Sequence, residues 1–350
     1  MATDETLLAI RGLSKAYAAR RRPSEVLKRT PAGKLVALDD VSLDVRSHEI
    51  VGVVGESGSG KSTLAKCIVR LVDPDAGGVR FRGVDLLAMR GRELANVRRA
   101  VQMIYQDPYS SLNPLMSVAA AIAEPARAHG LIQREDEPTH VRQALDIVGL
   151  TADVADRRPR ELSGGQRQRV AIARAMAVQP TLLLADEAVS ALDVSVQAQI
   201  LNVFAGLRDE HGVAIMLIAH DLSVVAHIAD AVSVMYLGAI VERGPTAKVF
   251  AAPGHPYTAA LLAAQPGRHR RDRTGRPVLR GEIPSPLNIP TGCRFHTRCA
   301  IAQDICREVD PPAVDLGDGR TARCHFAHEV AAGDAGRNAP RPTTTHGPSS

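Results

Sequence analysis

The stretch Gly55-Glu56-Ser57-Gly58-Ser59-Gly60-Lys61-Ser62 constrains this chain more than any other, because it fits G-x-x-x-x-G-K-[ST], the phosphate-binding loop. The residues before it, Ile50-Val51-Gly52-Val53-Val54, form a short apolar run rich in β-branched side chains, as a strand buried on both faces requires. After it, Leu64, Cys67, Ile68 and Leu71 recur at helical spacing, so a helix is expected to start at or near Lys61. Strand, loop and helix in that order are the context the motif needs. Glycines let consecutive backbone N–H groups turn inward onto phosphate oxygens, and the helix N-terminus adds partial positive charge. Lys61 then supplies a point charge for the β- and γ-phosphates, and the Ser62 hydroxyl a ligand for Mg²⁺. A Gly/Ser-rich linker that fits by chance would lack the flanking elements. Nucleotide binding is therefore expected.

The remaining sequence suits a parallel sheet wrapped in helices. Hydrophobic residues make up 45% of the 350, yet aromatics only 3% with no Trp, so the core must be aliphatic. Lys+Arg 43 against Asp+Glu 38 gives a net charge of +5, compatible with several partner classes and decisive for none. No apolar run reaches the roughly 18 residues of a membrane span, and the acidic start (Asp4, Glu5) is not that of a signal peptide. A cytosolic protein is expected, with any membrane role reached through a partner. Leu7–Ile10 and the alternating Val41–Val45 read as strands, and Ala18–Leu35 between them as a basic loop. The pattern from Leu86 to Ala100 is helical and charged, and Val101–Tyr105 reads as a strand running into the polar loop Gln106–Pro114. Alanine-rich helical segments then dominate to about Leu150, as an inserted helical subdomain would.

Leu162-Ser163-Gly164-Gly165-Gln166 leads into a second helix, with Ser163 a natural N-cap and two glycines that permit close approach to the backbone. This has the anatomy of a second anion site at a helix N-terminus. A chain with one phosphate loop and a second phosphate-facing element carries half of a shared site, completed by another subunit. Leu182–Glu187 is a buried strand closing on two carboxylates: Asp186 stands where a metal-holding Asp belongs, and Glu187 within reach of a water in line with the γ-phosphate. A second buried strand, Val213–Ala219, closes on His220, at the strand edge where ligands of such sheets gather.

Tyr17, the phosphate loop, Gln106, Leu162–Gln166, Asp186-Glu187, Asp193 and His220, in this order, resemble the ATP-binding subunit of ABC transporters over roughly residues 7–266. Tyr105–Pro114, Ser190–Leu201 and His255-Pro256-Tyr257-Thr258 resemble the dipeptide/oligopeptide importer branch, and Gly164–Val170 the second ("F-type") of its two ATPase subunits. Ala188 departs from that pattern, where the family commonly has Pro after the catalytic Glu. The resemblance implies an α/β P-loop NTPase with a RecA-like core, an antiparallel β subdomain, a helical subdomain at about 107–178 and a small Cys-containing extension at 267–330. It implies ATP and Mg²⁺, the nucleotide held by Gly55, Ser57, Gly58, Gly60, Lys61, Ser62 and Thr63, with Tyr17 stacked on adenine. Ser62, Gln106 and Asp186 would ligate Mg²⁺, Glu187 would be the base, and His220 would contact the γ-phosphate. Ser163, Gly164, Gly165 and Gln166 would cap ATP on the opposite subunit, and Asp193 would lie across the dimer interface. The implied assembly is a homo- or heterodimer of ATPase subunits with two membrane permeases and an extracytoplasmic solute-binding protein. It would sit at the cytoplasmic face of the membrane, with no nucleic acid.

Beyond residue 266, the basic segment His269–Arg276 reads as a solvated linker, and the Gly/Pro/Thr/Ser-rich tail from about Ala331 as disordered. Cys293, Cys299, Cys306 and Cys324 cluster in sequence, whereas Cys67 falls on the apolar face of the helix after the loop. Disulfides are disfavoured in a cytosolic chain, and the paired C-x-x-C of zinc ribbons is absent. Four thiolates suit a [4Fe–4S] cluster, which the resemblance also implies for some members; free thiols are the alternative. Two other functions are open at this point: a soluble ABC-type ATPase acting on nucleic acid or ribosomes, and a P-loop kinase or GTPase. The first usually has tandem ATPase domains or a long coiled coil, and the second lacks the peptide at 162–166 and the Glu after Asp186.

Overall fold

A computed structural model describes residues 6–18, 33–106, 112–190, 192–265 and 281–333. Strand β1 (Thr6–Ala18) pairs antiparallel with β2 (Lys34–Arg46), Ala18 standing opposite Lys34. Positions 18, 34 and 35, expected in a loop, are therefore strand, and 19–32 lie outside the described residues. Register shifts at Ile10/Leu13, Leu13/Lys15 and Lys15/Ala16 interrupt the inside–outside alternation that would have marked the full length.

Strand β3 (Ile50–Val54) runs into the glycine loop and helix α1 (Lys61–Ile68). Strands β4 (Ala76–Phe81) and β5 (Val84–Asp85) complete a four-stranded sheet in the order β2-β1-β4-β5. Helix α2 (Gly91–Ala100) begins later than the sequence pattern, because Arg90 is extended, and leads into β6 (Val101–Ile104). Helices α3 (Val118–Ala128), α4 (Glu137–Ile147) and α5 (Gly164–Met176) pack on one another and form the helical block that separates β6 from β7 (Leu182–Asp186). Helix α6 (Val194–Asp209), strand β8 (Ala214–Ala219), helix α7 (Leu222–Ile228) and strand β9 (Ala231–Tyr236) follow, then the antiparallel β10 (Ala239–Pro245).

The second sheet has eight strands in the order β11 (Ala313–Gly317), β12 (Arg320–Arg323), β10, β9, β3, β8, β7 and β6, parallel from β9 to β6. Its central strands are buried on both faces. In β3, Val51 and Val53 face the core shared with the antiparallel sheet and α1, while Ile50 and Val54 face the core on the helical-block side. Strand β8 divides in the same way, Met216 and Ile218 to one core and Ile215 and Leu217 to the other. A period of two with apolar residues on both faces gives the unbroken aliphatic runs read from the sequence.

Helices α8 (Thr246–Ala251) and α9 (Pro256–Ala263) follow β10. After the undescribed 266–280, the chain forms α10 (Ile305–Glu308), strands β11 (Ala313–Gly317) and β12 (Arg320–Arg323), and α11 (Ala327–Ala331). Strand β12 pairs with β10, Glu242 opposite Ala322, so the C-terminal region continues the main sheet. The linker at 269–276 and the tail after 333 lie outside the described residues, as do 107–111 of the polar loop and Ala191.

Candidate active site

The site is built where β3, β7, β8 and β6 end. Gly60 caps α1 with φ 104°, a conformation glycine adopts freely, and a Cβ there would lie 2.2 Å from the Ala37 carbonyl oxygen. No side chain caps α1 and its first turn has no acidic residue, so the first N–H groups are not claimed by a side chain of the helix's own cap. That leaves a positive helix end open to an anion.

Lys61 is buried to 3% exposure, and its Nζ donates to the carbonyls of Gly55 (2.7 Å) and Glu56 (3.0 Å). It stands 4.0 Å from a Glu187 carboxylate oxygen. Burial lowers its pKa, opposed by the charges of Glu187, Asp186 and Glu56. The Ser62 hydroxyl donates to Asp186 Oδ1 (2.9 Å), and burial raises the Asp186 pKa against that hydrogen bond. Desolvation thus works against charge on both Lys61 and Asp186, which a bound phosphate and cation would each reverse.

Glu187 follows β7 in the left-handed region (φ 48°), which costs a non-glycine residue on the order of 1 kcal/mol. Its N–H donates to the Ile218 carbonyl (3.0 Å), and its own carbonyl accepts from Ser190 N–H (3.1 Å) and the Ser190 hydroxyl (2.9 Å). Three bonds therefore hold the strained residue at the strand end. Its carboxylate accepts a hydrogen bond from Gln106 Nε2 (2.7 Å), which joins β6 to β7. His220 and Glu187 line a cavity of about 60 Å³ with Gln197 and Asp221. The structure therefore brings together the phosphate loop, Gln106, Asp186, Glu187 and His220.

Among the described residues, no hydrogen bond joins the other predicted residues to this group. Tyr17 is on the antiparallel sheet opposite Leu35, 38% exposed, with the Lys15 ammonium 5.6 Å from its ring centre. Ser163 caps α5 in a reciprocal box: its Oγ accepts from Gln166 N–H (3.2 Å) and its N–H donates to Gln166 Oε1 (3.0 Å). A Cβ on Gly165 would lie 2.5 Å from Val196 Cγ1, so this glycine is required by packing against α6 as well as by any ligand. Gly164 faces Leu192 across ordinary contact distance, and Asp193 is exposed at the start of α6. Among the described residues, no hydrogen bond or ion pair joins Ser163–Gln166 or Asp193 to the phosphate loop.

Three residues at the loop carried no assigned role in the sequence. Glu56 N–H donates to Tyr257 Oη (2.9 Å), and the Glu56 carboxylate receives both ends of the Arg298 guanidinium, at 2.6 and 3.0 Å. Tyr257 lies in a stretch that sequence reading singled out only as a family marker, and Arg298 sits 242 residues from Glu56, beyond any local pattern.

Cys293, Cys299, Cys306 and Cys324 line one small cavity together with His255, His296 and His325, and all four are free thiols. Burial pushes Cys299 and Cys324 up to about 12, so without a cation they are neutral. The donor types fit a thiolate-ligated group, but among the described residues no set of three or more Cys, His, Asp or Glu side chains is placed to hold a metal ion. Cys67, on α1, is fully buried in the core, as its place on the apolar face of that helix requires.

Comparison with known proteins agrees with this architecture. The sequence pattern of the ABC transporter family matches residues 38–190, and that of the oligopeptide/dipeptide transporter C-terminal region matches residues 241–306. A protein of Sinorhizobium fredii named as a probable peptide ABC transporter ATP-binding protein is 47% identical over 94% of this chain and 92% of its own length. The oligopeptide transport ATP-binding protein AppF of Bacillus subtilis is 42% identical over 93% of this chain and 98% of its own. Among solved structures, a dimeric ATP-binding cassette in a post-hydrolysis state bound to ADP and Pi superposes with a TM-score of 0.60 at 27% identity, covering 68% of this chain and 98% of that one. A cassette from Clostridium perfringens, part of the cbiONQ transporter complex, shares the fold at TM-score 0.60 and 24% identity, covering 71% and 91%. The chain belongs to the ATP-binding proteins of ABC transporters, in the oligopeptide/dipeptide branch.

Proposed function

We propose that this chain is the subunit whose ATP hydrolysis drives an importer of peptides or related solutes. The observation that carries this reading is the meeting of an open helix N-terminus, Lys61, the Ser62–Asp186 pair and the Gln106–Glu187 pair at one end of the parallel sheet. In it the loop amides and Lys61 bind the β- and γ-phosphates, and Tyr17 takes the adenine. Mg²⁺ held by Ser62, Asp186 and Gln106 would offset phosphate charge. Glu187 accepts a proton from the attacking water, and His220 orients the γ-phosphate. Ser163–Gln166 serve the ATP of a second ATPase subunit, with Asp193 across that interface, so the γ-phosphate is what closes the pair. Opening and closing are passed to two permease subunits at the cytoplasmic face of the membrane, supplied with solute by an extracytoplasmic binding protein.

The permease contact we assign to a cavity of about 270 Å³ between β6 and helices α3 and α5, lined by Leu71, Met103, Tyr105, Leu112 and Arg174. Leu71 and Tyr105 there are exposed apolar side chains, and Tyr105 directly precedes Gln106. Among the described residues no helix is long and apolar enough to cross a membrane, so the membrane path needs other chains. Expressed with its membrane subunits, the protein is expected to co-purify with them and to hydrolyse ATP faster when peptide-loaded binding protein is added. Recovery free of membrane subunits but bound to ribosomes would overturn this reading.

For the cysteines we propose that Cys293, Cys299, Cys306 and Cys324 hold a [4Fe–4S] cluster, supported by four thiols around one cavity without a carboxylate. The cluster would add covalent ties between chain segments that are joined by hydrogen bonds such as Cys293 N–H to the Cys306 carbonyl (2.8 Å). Protein purified without oxygen should then be brown, with about four iron atoms and four sulfides per chain. A colourless protein with zinc or no metal would refute it.

A further inference from the structure

The turn between Cys293 and Cys299 carries two arginines; Arg298 reaches the phosphate loop directly, and Arg294 reaches a neighbouring turn that is bonded to it. Arg298 has a side chain only 5% exposed and closes a two-pronged ion pair on Glu56, the second residue of the loop. Its guanidinium also lies 5.8 Å from the centre of the Tyr236 ring. Arg294 bonds the Leu237 carbonyl and the Asp39 carboxylate. That turn is itself tied to the loop, since Gly238 N–H donates to the Ser59 carbonyl (3.0 Å) and Asp39 N–H to the Gly238 carbonyl (2.9 Å). Phe295, between the arginines, is wedged against Tyr236 and Tyr257 at ring-centre distances of 5.3 and 5.4 Å. The C-terminal extension therefore grips the loop at Glu56 and, through one turn, at Ser59.

A carboxylate at Glu56 is an odd neighbour for a triphosphate. Its charge is felt at Lys61, the residue meant for the same phosphates. Unneutralised, it would repel the ligand the loop exists to bind. We infer that Arg298 is a positioning residue for nucleotide: it neutralises Glu56 and fixes the loop, so that the C-terminal extension sets the affinity for ATP. Arg298 touches neither the reacting atoms nor Mg²⁺ in this scheme. Its influence on nucleotide passes through Glu56, and that dependence distinguishes it from a residue that merely holds the extension in place.

The test is a double-mutant cycle on the full chain, with ATP affinity read by displacement of a fluorescent ATP analogue and turnover measured in parallel. R298Q is expected to weaken ATP binding about tenfold or more, with kcat at saturating ATP within about threefold of wild type. E56Q is expected to tighten ATP binding by no more than about threefold, because Arg298 already neutralises the charge that is removed. In E56Q/R298Q the affinity should return to within about threefold of wild type, and R298K should fall between wild type and R298Q. Wild-type affinity in R298Q, or a double variant as weak as R298Q, would overturn the inference. Should R298Q fail to fold, E56Q and E56Q/R298Q carry the test, and a double variant about tenfold weaker than E56Q would overturn it as well. Loss of ATP binding in every variant including E56Q would instead place Glu56 itself in the ligand site and refute the neutralising role.

Discussion

Glu187→Gln is expected to slow ATP turnover by about 10²- to 10⁴-fold while ATP remains bound, the range that loss of a general base produces. The substitution keeps the side chain's shape and leaves an amide oxygen able to accept from Gln106 Nε2, so the 2.7 Å link between β6 and β7 need not break. What it removes is the capacity to take a proton. The backbone bonds to Ile218 and Ser190 that hold residue 187 in its left-handed conformation do not involve the carboxylate, so folding should be little altered. Hydrolysis by purified protein, followed as phosphate release, and nucleotide retention after gel filtration check both halves. Hydrolysis at the wild-type rate would remove Glu187 from the role of base.

Lys61→Ala should weaken ATP binding by about 10²-fold or more, since a hydrogen bond from a charged donor is roughly twice as strong as a neutral one and alanine also removes the charge that faces the phosphates. The side chain is buried at 3% exposure and donates to the Gly55 and Glu56 carbonyls. Those bonds are exchangeable for phosphate oxygens, whereas alanine offers nothing to either partner. Burial lowers the Lys61 pKa and raises that of Asp186, so both groups hold their charge against desolvation. Titration with ATP, read by calorimetry, measures the effect. Unchanged affinity would contradict the assignment of the phosphate loop.

The sequence made the nucleotide end of the molecule legible and left its other edges obscure, for identifiable reasons. Gly55–Ser62, Asp186-Glu187 and the strands around them follow from local rules: a glycine loop, a period of two buried on both faces, a helix start. The full length of β1 and β2 does not, because repeated register shifts and side chains such as Arg11 and Lys15 erase the alternation that marks a strand. The short β11 and β12, Ala313–Gly317 and Arg320–Arg323, are stabilised by pairing onto β10 and have too few apolar residues to announce themselves. The grip of Arg298 on Glu56 is a contact between a turn and a position the loop motif leaves unspecified, so nothing local encodes it. Gly165 shows the opposite case. The sequence singles it out for a ligand, and the structure adds a packing reason, Val196, that bears on it independently.

The account rests on the idea that this chain supplies a phosphate loop to one ATP and the Ser163–Gln166 peptide to another. Turnover per chain should therefore fall as the wild-type protein is diluted, and should recover when an excess of the Lys61→Ala chain is added. That chain has no working phosphate loop but an intact helix cap at Ser163 to lend. Wild-type protein that hydrolyses ATP at full rate per chain at high dilution, indifferent to the added Lys61→Ala chain, would contradict it.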